Sequence, residues 1–201
     1  MSDATSPRSA LASIPRFGGA SAALALRELP GSTILHLEGT RPSTKLDAVF
    51  AALGLAEPLA IGMSGGRDGA RLLCIGPAIW LLVLDQSVVI PAALTLAGAV
   101  GQAFEAALDA SHAHTGIEIG GSKATDFIAK GCALDLHPQK FPPGACAATG
   151  FAGMRTILWR ASDGDRFALF VGRSYAISIS QWLADAAAEY NEIPAMGVRD
   201  Q

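Results

Sequence analysis

Two long stretches of the chain present the same order of elements, and this repetition limits the architecture more than any single motif. ILHLEGTRPSTKLDAVFAALGL, starting at Ile34, aligns with GIEIGGSKATDFIAKGCALDL, starting at Gly116. RLLCIGPAIWLLVL, starting at Arg71, aligns with RTILWRASDGDRFALFV, starting at Arg155. A period of about eighty residues is too long for a solenoid and suits duplication of one supersecondary unit.

The elements of each copy follow from periodicity and punctuation. Thr33–Glu38 reads as a strand, Gly39-Thr40-Arg41-Pro42 as a turn, and Ser43 as the cap of a helix reaching about Leu53. Leu46, Val49, Phe50 and Leu53 fall on one face of that helix. Arg71–Ile75 and Ile79–Leu84 form a hairpin around Gly76-Pro77, and a helix follows from about Pro91 to Ala107. In the second copy Gly116–Ile119 is a strand, and Ser122 caps a helix to about Lys130. Arg155–Arg160 pairs with Phe167–Val171 across Ser162-Asp163-Gly164-Asp165. A last helix spans about Ser174–Tyr190, with Ile177, Trp182, Ala186 and Tyr190 as core positions.

Two helices cover one face of each β-α-β-β-α unit and leave the other bare, so two units bury each other. The expected fold is α+β, with two ferredoxin-like halves forming one pseudo-duplicated unit. Residues 1–30, rich in Ser, Ala, Pro and Gly, read as an extended N-terminal arm. Residues 31–190 form one domain with halves of about 31–107 and 108–190, and 191–201 form a tail.

With half its residues apolar and 16% charged, the chain has the composition of a folded protein. A net charge of −3 without any basic run lacks the footprint that a phosphate backbone demands, which argues against nucleic acid and anionic membrane surfaces. Cys74, Cys132 and Cys146 are odd in number and contain no CxxC pair, as expected of free thiols in a cytoplasmic protein. Asp3, Pro7 and Pro15 interrupt any secretory leader. The uncharged stretches Leu72–Leu84 and Gln86–Phe104 are long enough to raise a membrane span. Gly76-Pro77 and the polar and glycine residues of the second stretch favour a buried strand followed by a buried helix.

No chemical motif completes itself. His112 and His114, two apart on one strand, point to one face and could chelate a metal, but no third ligand stands nearby. Cys132, His137 and Cys146 are too scattered to form a chelating set. Asp109, Ser111 and His112 cannot form a relay as neighbours on one strand. Gly62-Met63-Ser64-Gly65-Gly66 imitates a nucleophile elbow without the following helix. Gly120-Gly121-Ser122-Lys123 lacks the upstream half of a P-loop, and no GxGxxG follows a strand. No catalytic, cofactor-binding or metal residue is assigned.

The connection KGCALDLHPQKFPPGACAAT, residues 130–149, is distinctive. Its prolines stiffen the backbone, Leu134, Leu136 and Phe141 are available for burial, and Phe141-Pro142-Pro143 suggests an apolar protrusion for docking. Here the chain resembles the gamma subunits of heterotetrameric sarcosine oxidases, over about residues 24–190. The resemblance rests on Asp109, Ser111, the run Lys130–Pro138, Phe141-Pro142-Pro143-Gly144, Cys146 and Thr149, continuing with Phe167, Leu169, Arg173-Ser174-Tyr175-Ala176 and Trp182-Leu183.

The resemblance implies a fold similar to the folate-binding domain of the glycine-cleavage aminomethyltransferase. It further implies an assembly role in a complex with alpha, beta and delta subunits that demethylates sarcosine to glycine. FAD, FMN, NAD and tetrahydrofolate would all be held on the other subunits. Where the aminomethyltransferases carry an acidic residue after a glycine, this chain has Cys132 after Gly131, which argues against folate catalysis here. On this reading Asp135, His137, Pro138, Phe141, Pro142 and Pro143, with the arm before Pro30, lose exposure to partners. The alternatives are the equivalent subunit of a complex acting on another N-methyl amine, such as N-methylglutamate, and a stand-alone tetrahydrofolate-dependent one-carbon transferase using Asp135 or His137.

Overall fold

The computed structural model describes residues 11, 23–29, 31–39, 51, 53–54, 59–67, 69–85 and 105–191. Its strands are β1 (Ala25–Leu29), β2 (Thr33–Glu38), β3 (Ser64–Arg67), β4 (Ala70–Gly76), β5 (Ile79–Leu84), β6 (Ala106–Asp109), β7 (His114–Gly120), β8 (Cys146–Phe151), β9 (Met154–Arg160) and β10 (Arg166–Gly172). The helices are α1 (Ala124–Ala129) and α2 (Ala176–Asn191), the latter entered through a single 3-10 turn, Arg173–Tyr175. The fold is α+β.

The strands form two five-stranded sheets, ordered β1-β7-β10-β9-β8 and β6-β2-β5-β4-β3, with every pair antiparallel. Shifting each strand number by five converts one order into the other, which is the duplication seen in the sequence. The halves also exchange a strand. β1 precedes the first copy yet pairs with β7 of the second, Arg27 opposite Glu118, while β6 pairs with β2 of the first. Each half therefore contains one internal strand more than β-α-β-β-α, and borrows one from the other.

Alternation along the strands sorts side chains into layers. Ile34, Leu73, Leu81, Ala168 and Phe170 lie in a layer built from both sheets. Their neighbours Leu72, Trp80, Leu82 and Leu84 form a core on the far face of the first sheet. Phe167, Leu169, Val171, Ile117, Ile119 and Leu158 form the core of the second sheet together with Phe127, Ile128, Ile179 and Leu183 from the helices. Each fully buried Leu or Phe contributes about 1.5–3 kcal/mol.

The strands 33–38, 71–75, 79–84, 116–119, 155–160 and 167–171 lie where periodicity assigns them. Several expectations change. Residues 25–29, read as part of an arm, are β1, and Leu11, Leu24 and Leu26 are buried in the second sheet's core. Ala106 and Ala107, read as a helix end, begin β6. The rest of that helix, Pro91–Phe104, and most of the 43–53 helix lie outside the described residues, though Leu53 is fully buried. Segments around 64–67 and 146–151, read as turn and loop, are the edge strands β3 and β8; small residues such as Gly65, Gly66, Ala147 and Ala148 carry little β signal, and pairing decides.

Ser122 does not cap α1. The N-cap is Lys123, which makes no side-chain cap and pairs its ammonium with Asp126 at 3.0 Å. Ile177 is 60% exposed, and Ala176, Ile179, Leu183 and Ala187 take the buried stripe of α2, with Trp182, Ala186 and Tyr190 packed beside it. Among the described residues no helix is long and apolar enough to cross a membrane.

Candidate partner-docking loop

The distinctive loop begins where α1 stops. Gly131 lies under two rings: a Cβ there would come within 2.8 Å of Trp182 Cη2 and 3.0 Å of Phe151 Cζ. Trp182 in turn meets Phe151 edge-on, centroids 5.0 Å apart. Lys130 fastens this corner to α2 by pairing with Glu189 at 2.5 Å and donating to Ala186 O at 3.1 Å, with its ammonium 4.5 Å from the centre of the Tyr190 ring. Cys132 is buried, and its sulfur lies 3.9 Å from Thr149 Oγ1.

The loop tip is held from below by Arg160. This residue is 7% exposed, and among the described residues its guanidinium meets no carboxylate. It meets carbonyls instead: Nε donates to Gly164 O at 3.0 Å, and one terminal nitrogen donates to Phe141 O at 2.8 Å and Leu136 O at 3.3 Å. The cation also lies over the Phe167 ring at 5.3 Å. Strand parity could have located it, because Thr156, Leu158 and Arg160 share the inward face of β9.

With the carbonyls anchored, Leu136 and Phe141 turn inward and the polar tip stays out. Asp135 Oδ1 accepts from the His137 backbone N–H at 3.0 Å, and His137 Nδ1 accepts from Gln139 N at 3.3 Å. These are turn-forming bonds. The Asp135 carboxylate engages the backbone rather than the imidazole of His137, so the two are not arranged as a proton-relay pair.

Phe141 is not the protrusion expected of it. It is 6% exposed and belongs to the core of the second sheet, because Arg160 binds its carbonyl and turns its ring inward. Pro142 is half-buried, and Asp135, His137, Pro138 and Pro143 are exposed. The loop's far end ties the halves together: Ser64 N and Oγ both donate to Gly144 O, at 2.8 and 2.7 Å, and Cys146 N donates to Gly62 O at 2.8 Å. Ser64 Oγ also accepts from Trp159 Nε1 at 2.8 Å, which makes the serine of the elbow-like sequence a structural bridge.

The remaining candidate sets do not converge. His112 sits in an exposed turn before β7 rather than on a strand with His114, whose Nδ1 is 3.3 Å from Ala110 O. Cys146 Sγ contacts Met63 O and Cys74 O in the seam between halves, far from a ligand role, and burial pushes its thiol up to about 12. Among the described residues no three His, Cys, Asp or Glu side chains are placed to hold a metal.

Asp109 and Ser111 form a knot at the strand exchange. Ser111 Oγ accepts from Ile34 N at 2.9 Å and donates to Asp109 Oδ1 at 2.5 Å, and Ser111 N donates to the same oxygen at 2.9 Å. The Ser111 hydroxyl, then its backbone N–H, hold the Asp109 carboxyl below its ordinary range. A depressed carboxyl stabilises the fold above its unfolded pKa and ceases to as pH falls through the folded one. Ser111→Ala is therefore expected to cost about 1–2 kcal/mol at neutral pH, mostly from the unpaired Ile34 N–H. The gap from wild type should narrow slightly toward pH 3, because Asp109 is largely exposed and its share is screened. Denaturant midpoints at both pH values check this; a gap that widens in acid contradicts it.

The model of the sarcosine oxidase, gamma subunit family matches residues 39–189. The chain belongs to the sarcosine oxidase gamma subunit family. Among gamma-subunit relatives, that of Corynebacterium sp. (strain U-96) is 32% identical over 171 residues, covering 84% of this chain and 82% of its own. That of an Arthrobacter species is 28% identical over 92% of this chain and 90% of its own. A chain of the heterotetrameric sarcosine oxidase from Corynebacterium sp. U-96, solved in complex with pyrrole 2-carboxylate, superposes with a TM-score of 0.79 at 29% identity, covering 94% of this chain and 98% of that one. The glycine cleavage system aminomethyltransferase T from Bartonella henselae superposes at 0.59 with 16% identity over 80% of this chain and 45% of its own, which shows a shared fold. Of the residues on which the resemblance rests, Gly131, Cys132, Phe141, Phe167, Leu169 and Leu183 pack inside the chain, whereas Asp135, His137, Pro138, Pro143 and Arg173-Ser174-Tyr175 are exposed.

Proposed function

We propose that this chain is the assembly subunit of a heterotetrameric sarcosine oxidase, a complex that oxidatively demethylates sarcosine to glycine, and that it carries no catalytic residue of its own. The observation that supports this most directly is the likeness to one chain of such a heterotetramer across 98% of that chain's length. Alpha, beta and delta subunits would be its partners, and FAD, FMN, NAD and tetrahydrofolate would lie on those subunits. The internally satisfied bonds of Asp135 and His137 fit docking better than proton transfer.

The chain purified alone is expected to be colourless and to show no saturable binding of tetrahydrofolate; a flavin spectrum or saturable folate binding would overturn the reading in favour of a one-carbon transferase. The docking surface is the exposed tip, Asp135, His137, Pro138 and Pro143, with Pro142 at its margin and Phe141 beneath it as support. Pro138→Glu combined with Pro143→Glu should leave the melting temperature near that of wild type and lower the recovery of co-expressed flavin-bearing subunits at least about fivefold, as expected of charges placed at a desolvated contact. Unchanged recovery would move the interface elsewhere on the chain.

A further inference from the structure

At one end of the layer between the two sheets the packing opens into a cavity of about 280 Å³. β7 explains the opening: Ile117 and Ile119 face the helical side, so the intervening Glu118 faces the other sheet, where most strands place Leu, Ile or Phe. Glu118 is neutralised in place. Its Oε1 accepts from Arg27 Nε at 2.6 Å, and its Oε2 lies 3.4 Å from a terminal nitrogen of Arg166, whose remaining donors reach Asp163.

Two arginines of the lining, Arg27 and Arg71, keep donors that no carboxylate takes up among the described residues. Arg27 engages Glu118 through Nε alone, which leaves both terminal nitrogens without a protein partner among the described residues. Arg71, half-buried on β4, meets no carboxylate among the described residues and lies over the Trp159 ring, 5.2 Å from its centre. A guanidinium held on a ring has its in-plane donors available for a planar, bidentate acceptor. Among the described residues the lining carries Arg27, Arg71 and Arg166 together with the carboxylates of Glu118 and Asp85. Its apolar lining includes Trp159, Phe170 and Leu73.

We propose that this cavity is a binding site for a small monocarboxylate with a flat apolar body, the carboxylate held between Arg27 and Arg71 and the body against Trp159 and Phe170. The volume lies at the small end of ligand sites, which limits the occupant to about the size of a substituted ring. Two guanidinium forks suit one planar carboxylate, and the apolar lining suits an uncharged body.

The test uses the full chain labelled with 15N at its tryptophan indoles, which gives three Nε1–H signals, from Trp80, Trp159 and Trp182. Benzoate is expected to move the Trp159 signal saturably, half-saturating at about millimolar concentration as befits so small a ligand, while Trp80 and Trp182 stay in place. Benzylamine and inorganic phosphate should not reproduce the shift. Arg71→Met should raise the half-saturating benzoate at least about tenfold and Arg71→Lys by less, since a point charge replaces a fork. The unmoved Trp80 and Trp182 signals report that each variant remains folded. An equal response to phosphate would make this a general anion site, and equal movement of all three indoles, or titration unaffected in both Arg71 variants, would overturn the proposal.

Discussion

Arg160→Leu is expected to destabilise the chain by about 3–4 kcal/mol and lower its melting temperature by about 10 °C, because three buried carbonyls lose a charged donor together. Leucine roughly fills the space but donates nothing, so Leu136 O, Phe141 O and Gly164 O are left without that partner. The loss is local before it is global. Amides of residues 136–141 should exchange faster than those of β7 and β10, whose ladders do not depend on Arg160. Arg160→Lys keeps the charge and can satisfy fewer of the carbonyls, so its melting temperature should fall between the two. A leucine variant melting within about 2 °C of wild type would show that the loop holds itself through its own turns.

Gly121→Ala should be comparably severe for a different reason. Gly121 has φ of +108°, and a Cβ there would lie 2.6 Å from Ala23 O and 2.8 Å from its carbonyl carbon. Both atoms are backbone, so no rotamer change relieves the contact. The chain entering β1 must move, breaking the bond from Lys123 N to Ala23 O at 2.8 Å and loosening Leu24 and Leu26 from the core. Strain at φ and partial exposure of two leucines sum to about 3–5 kcal/mol. Faster exchange of amides 25–29, with β9 and β10 unaffected, is the signature to measure. Gly150→Ala is the matched control: a Cβ there would meet nothing within 4 Å and its φ is not positive, so it should be close to neutral. If Gly121→Ala melts like Gly150→Ala, the exchanged strand does not cross beside Gly121.

The parts of this fold legible in the sequence are the short apolar runs bounded by turn residues. TILHLE, ARLLCIG, IWLLVL and RFALFVG each declare a strand and which faces it buries, and the two copies declare a duplication. The exchanged strands did not announce themselves. ALREL and AALD are short, lack β-branched and aromatic residues and stand next to Pro- or Ala-rich sequence, and only the partner strands β7 and β2 make them part of a sheet. The same holds at the loop. KGCALDLHPQKFPPG marks a distinctive connection, but whether Phe141 points outward or inward depends on Arg160, nineteen residues away along the chain.

By itself the sequence determined the α+β class, the doubling of one unit and the loop on which the family likeness rests, because hydrophobic period, turn chemistry and motif spacing are local properties of the chain. The tertiary structure alone decided that each half lends a strand to the other, that a buried arginine sets which loop residues face out, and that Glu118 and its arginine partners line a cavity between the sheets. Each of these joins residues distant along the chain, and such pairings are chosen by which groups can satisfy one another once buried, a condition that local sequence pattern does not encode.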